Sequence, residues 1–192
     1  MSDSTRSILL AGVGGQGILR ASDIISLALM SAGHDVKKSE VHGMAQRGGC
    51  VTSHVRYGKK VYSPISRKGE VDILLSFEKL ETLRYLDYLK ADGAVIVNEE
   101  EIYPPSVNLG LEKYPAGIEK TVGRYFKKVK SVNASRIAEQ AGNPRTANTV
   151  MIGVLSNCLD LALVVWERVI NRAFPEKLVK DNITAFHLGR SA

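Results

Sequence analysis

What most restricts the fold of this chain lies in its first thirty residues. An apolar run at residues 7–11 ends in Gly12-Val13-Gly14-Gly15-Gln16-Gly17. Apolar residues then recur at helical spacing through Ile18, Ala21, Ile24, Ile25, Ala28 and Leu29, until Gly33 stops them. A strand, a glycine turn and a helix in that order open a βαβ unit, which needs same-direction strands with helices packed on the sheet.

The rest of the chain continues the alternation. Residues 36–41, 51–57, 71–76, 94–98 and 128–132 read as strands, and residues 17–32, 78–89, 134–142, 148–170 and 175–188 as helices. Val51, Ser53, Val55 and Tyr57 alternate with polar residues, so this strand is expected to be half exposed. Gly58-Lys59-Lys60 should turn it into a hairpin with residues 61–63. The stretch 99–127 carries Pro104, Pro105 and Pro115 and reads as loops with short pieces of structure. The expectation is an α/β fold: a single three-layer domain over residues 1–192, with a Rossmann-like, largely parallel sheet and a β-hairpin excursion.

Composition removes several classes. With 44% hydrophobic and 24% charged residues, the chain matches a globular protein. Its longest apolar candidate, residues 150–166, is broken by Ser156, Asn157 and Asp160, so no membrane span is expected. The first residues lack the basic and apolar regions of a signal peptide. The cysteines are Cys50 and Cys158 only, with no CxxC or Cys/His cluster. Neither a metal site nor a disulfide framework is expected, and a reducing cytoplasm suits both thiols. The net charge is +6, and the segment 34–70 alone accounts for +5 through Lys37, Lys38, Arg47, Arg56, Lys59, Lys60, Arg67 and Lys68 against Asp35, Glu40 and Glu70. A local positive surface is expected there, open to phosphates or an acidic partner. Nucleic acid is not expected, because Tyr57 and Tyr62 are too few for a stacking platform.

Two loops hold the candidate site residues. Gly12, Gly14, Gly15, Gln16 and Gly17 match GxGxxG, where glycines permit close backbone approach and a helix start offers free N–H groups to an anion. Three readings stay open: close packing of the first helix, a nucleotide or CoA phosphate, or a subunit contact. Glu40 lies at the distance of a ribose-binding acid, with Lys37 and Lys38 nearby. The loop is not a P-loop, since Ile18 and Leu19 stand where Lys and Ser/Thr belong. The second loop is Glu40-Val-His42-Gly43-Met44-Ala-Gln46-Arg47-Gly48-Gly49. Its acid, imidazole, amide, guanidinium and glycines suit a ligand or an intersubunit contact, with Arg47 able to hold a phosphate or carboxylate bidentately.

The strings GVGGQGIL, SEVHGMAQRGG and VTSHVRYG together resemble the gamma-type domain of the 2-oxoacid:ferredoxin oxidoreductases. SEVHGMAQRGG is similar to the small subunit of the indolepyruvate type. LLSFEKLETLRYLDYLKADGAVIVN, GNPRTANTVMIGVLS and FPEKLVKDNITAFHLG extend the resemblance over nearly the whole chain. It implies an enzyme that oxidatively decarboxylates a 2-oxoacid to an acyl-CoA and passes electrons to ferredoxin. It also implies a large partner subunit holding thiamine diphosphate, magnesium and [4Fe–4S] clusters, with CoA as co-substrate and no cofactor on this chain alone. A stand-alone nucleotide-dependent oxidoreductase and a non-catalytic assembly subunit are the rival readings.

Overall fold

The computed structural model describes residues 5–43 and 49–192, with only the backbone of His42. Six strands form one sheet in the order β2-β3-β1-β4-β5-β6. They are β1 (Arg6–Val13), β2 (Asp35–His42), β3 (Cys50–Gly58), β4 (Val71–Ser76), β5 (Leu89–Asn98) and β6 (Lys128–Val132). β1, β4, β5 and β6 pair in parallel. β3 runs antiparallel to both of its neighbours, β1 and β2, so the sheet is mixed and five of its six strands share one direction.

Helices cover both faces, as the three-layer expectation requires. Ile8, Leu10, Ile73, Leu75 and Ile96 pack on one face against α1 (Ile18–Ser31), α5 (Ala134–Gln140), α6 (Ala147–Ser156), α7 (Leu163–Ala173) and α8 (Glu176–Ser191). Leu9, Ala11, Leu74 and Val95 point the other way, since successive strand residues alternate between faces. They meet Ile118 and Val122 of α4 (Ile118–Tyr125) and Leu83 and Tyr85 of α2 (Lys79–Tyr85). Between β5 and α4 lies the short α3 (Pro105–Asn108). The central strands are apolar on both faces because both faces are covered.

Four expectations are corrected. β3 is not half exposed: it lies between β1 and β2, and Thr52, Ser53, His54, Val55 and Tyr57 are all buried. Residues 61–63 form no strand, because both edges of β3 are already taken by β1 and β2; Val61 is buried instead and donates its N–H to Asp35 at 2.9 Å. The hairpin excursion is therefore β2–β3. The helix expected over 148–170 is two helices. Asn157 caps the end of α6 and donates its amide to the Arg190 carbonyl, and α7 restarts in a direction that buries Trp166 against Phe186, 5.8 Å between rings. The fifth strand starts at Leu89 rather than Ala94, with a register shift that absorbs Asp92-Gly93.

Candidate functional site

The parallel strands end together at one edge of the sheet, at Val13, Ser76, Asn98 and Val132. The chain leaves β1 toward β2 and leaves β4 toward β5, so the connections part between β1 and β4. In α/β sheets such a crevice is the usual place for a ligand. Here the Gln16 side chain enters it. Its Oε1 accepts from Val13 N at 2.7 Å, and its Nε2 donates to Phe77 O at 2.8 Å and to a Glu100 carboxylate oxygen at 3.1 Å. Asn98 donates to the same Phe77 carbonyl and Glu100 oxygen, and accepts from Ala134 N at the start of α5. Gly12 makes room for this: a Cβ there would lie 2.6 Å from Gln16 Oε1 and 2.9 Å from Phe77 Cβ.

Gly17 stands at the N-cap of α1 with φ +76°, and no side chain caps the helix. The left-handed turn is what demands glycine at 17; a Cβ there would also meet the amide end of the Asn148 side chain, in the first turn of α6, at 2.7 Å, and that side chain would have to move. An alanine would cost about 1–2 kcal/mol from the backbone alone. Two helix starts thus lie side by side, and among the described residues no side chain caps the first-turn N–H groups of α1, which carry the positive end of the helix dipole.

The second loop is tied to the first. Gly14 N donates to Gly49 O at 2.9 Å, and Gly43 N donates to Cys50 O at 2.7 Å across the base of the loop. The candidates Met44, Gln46, Arg47 and Gly48, and the His42 side chain, lie outside the described residues. Glu40 is not beside the glycine loop. β3 stands between β2 and β1, which puts Glu40 two strands, roughly 10 Å, from β1, one strand beyond the place a ribose-binding acid takes. Its carboxylate instead pairs with Lys38 at 2.6 Å.

Sequence reasoning missed a cluster under this second loop. Cys50 Sγ lies 3.0 Å from the Tyr85 hydroxyl. Burial, then the Glu81 carboxylate, pushes the Cys50 thiol up to about 11, so it is a protonated thiol rather than a nucleophilic thiolate. Burial also raises Tyr85 and Glu81. One Glu81 oxygen takes Arg84 at 2.6 Å, and the other is buried with no hydrogen-bond partner among the described residues. The available signal was Glu81 and Tyr85 at i, i+4 on one helix, which shares a face. Beside it, the buried Glu78 accepts from Glu81 N, Ile102 N and the Tyr114 hydroxyl, fixing the start of α2 to the loop after β5.

The positive segment 34–70 has four of its lysines paired, two of them with acids from outside it, Asp23 and Asp87, so that part of its charge is offset. Lys37 pairs with Asp35 at 3.0 Å, Lys38 lies between Asp23 and Glu40, Lys60 reaches Asp35 and Lys68 reaches Asp87. The two cysteines also stand apart. Cys50 is opposite Val13 at the carboxyl edge, whereas Cys158 lines a cavity with Arg6 and Asp72 at the amino ends of the strands. Two thiols at opposite edges do not fit a four-cysteine cluster.

A model of the pyruvate ferredoxin/flavodoxin oxidoreductase family matches residues 7–192. The chain belongs to this family. It is 41% identical over 191 residues to indolepyruvate oxidoreductase subunit IorB of Pyrococcus horikoshii, covering 97% of this chain and 95% of that one. It is 40% identical to the same subunit of Archaeoglobus fulgidus, covering 95% and 92%. The fold matches the gamma subunit of a keto/oxoacid ferredoxin oxidoreductase from Geobacter sulfurreducens, with a TM-score of 0.72, 23% identity and coverage of 97% and 96%. It also matches part of the 2-oxoglutarate:ferredoxin oxidoreductase of Magnetococcus marinus, with a TM-score of 0.75, 22% identity and coverage of 99% and 31%. The expected membership of the 2-oxoacid:ferredoxin oxidoreductases, on their small-subunit branch, is borne out. Among the described residues no helix is long and apolar enough to cross a membrane.

Proposed function

We propose that this small subunit serves an indolepyruvate-type enzyme, and that its two glycine loops close a cleft shared with a large subunit and face the phosphates of CoA. The observation that carries the reading is 41% identity to an indolepyruvate oxidoreductase subunit over nearly the full length of both chains. The edge where Gly14 bonds Gly49 supports the loops as its functional end. The large subunit supplies the thiamine diphosphate, magnesium and [4Fe–4S] clusters that decarboxylate the 2-oxoacid and pass electrons to ferredoxin. What this chain contributes is binding: free N–H groups at the start of α1, and the guanidinium of Arg47 for an anionic group.

A second reading is an architectural subunit. It is favoured by Gln16, which fills the crevice between β1 and β4 with its own side chain. The test uses the complex co-purified with the large subunit, assayed with indolepyruvate, CoA and a viologen dye; the chain alone is expected to be inactive. Arg47→Lys and Arg47→Ala are expected to raise the Michaelis constant for CoA roughly 30-fold or more, the effect of losing one bidentate contact. The constant for the 2-oxoacid should stay nearly fixed. Wild-type constants in both variants would remove the CoA reading, and a complex that falls apart would instead assign Arg47 to the subunit contact.

A further inference from the structure

Residues 120–136 contain Lys120, Arg124, Lys127, Lys128, Lys130 and Arg136 and no acidic residue. Their charge equals the +6 of the entire chain. All six side chains belong to exposed residues. Among the described residues none of the six forms an ion pair; the Lys128 ammonium reaches only the Asp92 carbonyl, at 3.1 Å. α4 presents Lys120 and Arg124 one turn apart, and β6 presents Lys128 and Lys130 on one face, opposite Ala94 and Ile96.

β6 is also an edge, with β5 as its only strand neighbour among the described residues. Val132 turns its carbonyl toward the β5 side, where it accepts from Glu99 N at 2.9 Å. Strand alternation then directs the N–H and C=O groups of Val129 and Ser131 outward, away from β5. Among the described residues no strand faces these groups, and Lys128 and Lys130 flank them along the strand.

We propose that the β6 edge docks an acidic polypeptide segment, which adds to the sheet as a seventh strand. The outward backbone groups repeat every second residue, the spacing of an extended peptide. A second copy of this chain is disfavoured, because two β6 edges would set lysines against lysines; the same lysines attract a strand bearing carboxylates. Nucleic acid fits less well, since Tyr125, 72% exposed, is the one exposed aromatic ring in the segment and gives no row of stacking surfaces.

The probe is a fluorescent peptide of alternating glutamate and threonine, about the length of an ordinary strand, titrated with the full chain and followed by anisotropy. Binding is expected to weaken about tenfold or more between low and physiological salt. The double reversal Lys128→Glu/Lys130→Glu should abolish it while leaving the melting temperature unchanged. A peptide N-methylated at alternate residues, which keeps its charge but cannot pair with a strand, should bind at least tenfold more weakly. Bound unmodified peptide should slow amide exchange at Val129 and Ser131. These results together support the assignment. It is overturned if the unmodified peptide does not bind, if the reversal variant or the N-methylated peptide binds like its parent, or if an oligothymidylate of equal charge binds as well.

Discussion

Residues 34–70 and residues 120–136 carry net charges of +5 and +6, and the fold treats them differently. In the first, Lys38 is held by Asp23 from α1 and by Glu40 two positions along its own strand, and Lys68 finds Asp87 beyond β4. Arg56 gives its guanidinium to the Ser63 and Ile65 carbonyls. In the second, β6 and the end of α4 lie at the sheet margin, and among the described residues no carboxylate pairs with the cations there. Charge summed along a sequence window is therefore a poor guide to free charge. What matters is whether acids distant in sequence are folded against it.

Reversing one charge in each region gives the largest expected contrast. Lys38→Glu would put a third carboxylate between Asp23 and Glu40. It should destabilise by about 2 kcal/mol, from two lost pairs and new repulsion, and lower the melting temperature by several degrees. Lys130→Glu should stay within about 0.5 kcal/mol of the parent, as for an unengaged surface residue. Equal losses in thermal melts would erase the distinction between the regions.

Acid provides the next contrast. Burial, then the neighbouring Arg56, lowers the affinity of His54 for a proton below its ordinary value of 6.5. The neutral ring accepts from Ser66 N, and so holds the segment after β3 against the sheet. A group with a depressed folded value favours the unfolded state once protonation begins. Stability from His54 is thus present above about 6.5 and lost as pH falls through the lower folded value. The protection factors of the amides in residues 59–70, corrected for the intrinsic slowing of exchange in acid, should fall several-fold between neutral pH and about pH 5.5, with little change in β6. An equal fall in protection across both regions would rule out His54 as the cause.

The smallest effect sharpens the comparison within the paired region. Lys60 and Asp35 meet at 3.9 Å with the lysine side chain 65% exposed. Lys60→Ala should cost only a few tenths of a kcal/mol. Denaturant titration showing a loss equal to that of Lys38→Glu would mean that the number of partners does not matter.

Much of the fold could be read from residue patterns. The strands at residues 71–76 and 128–132 and the helix after Gly17 are legible, because each has an apolar run or period and a glycine or polar stop. Strand order was not visible. Nothing in Val51, Val55 and Tyr57 says that they enter between β1 and β2, since pairing partners are chosen by the whole sheet. The break at residues 157–162 was hidden because the apolar spacing resumes in nearly helical phase. For the site, glycine spacing pointed to both loops. The buried Glu81 was missed, as an acid on a short helix normally reads as solvated, and the cations of 120–136 fell partly inside a stretch read only as loops.

The reversal of β3 has a consequence for where its loop is anchored. The carboxyl end of β2 lies on the same rim as the turn from β1 to α1 whichever way β3 runs, because β2 and β1 share a direction. A parallel β3 would have to be entered from the opposite rim, through a crossover. Turned around, it starts on this rim and beside β1, so the link from β2 has both of its ends here. A Gly14–Gly49 hydrogen bond then joins the two loops. Neither needs a long turn to reach the other, and a substitution in either loop will be felt by the other.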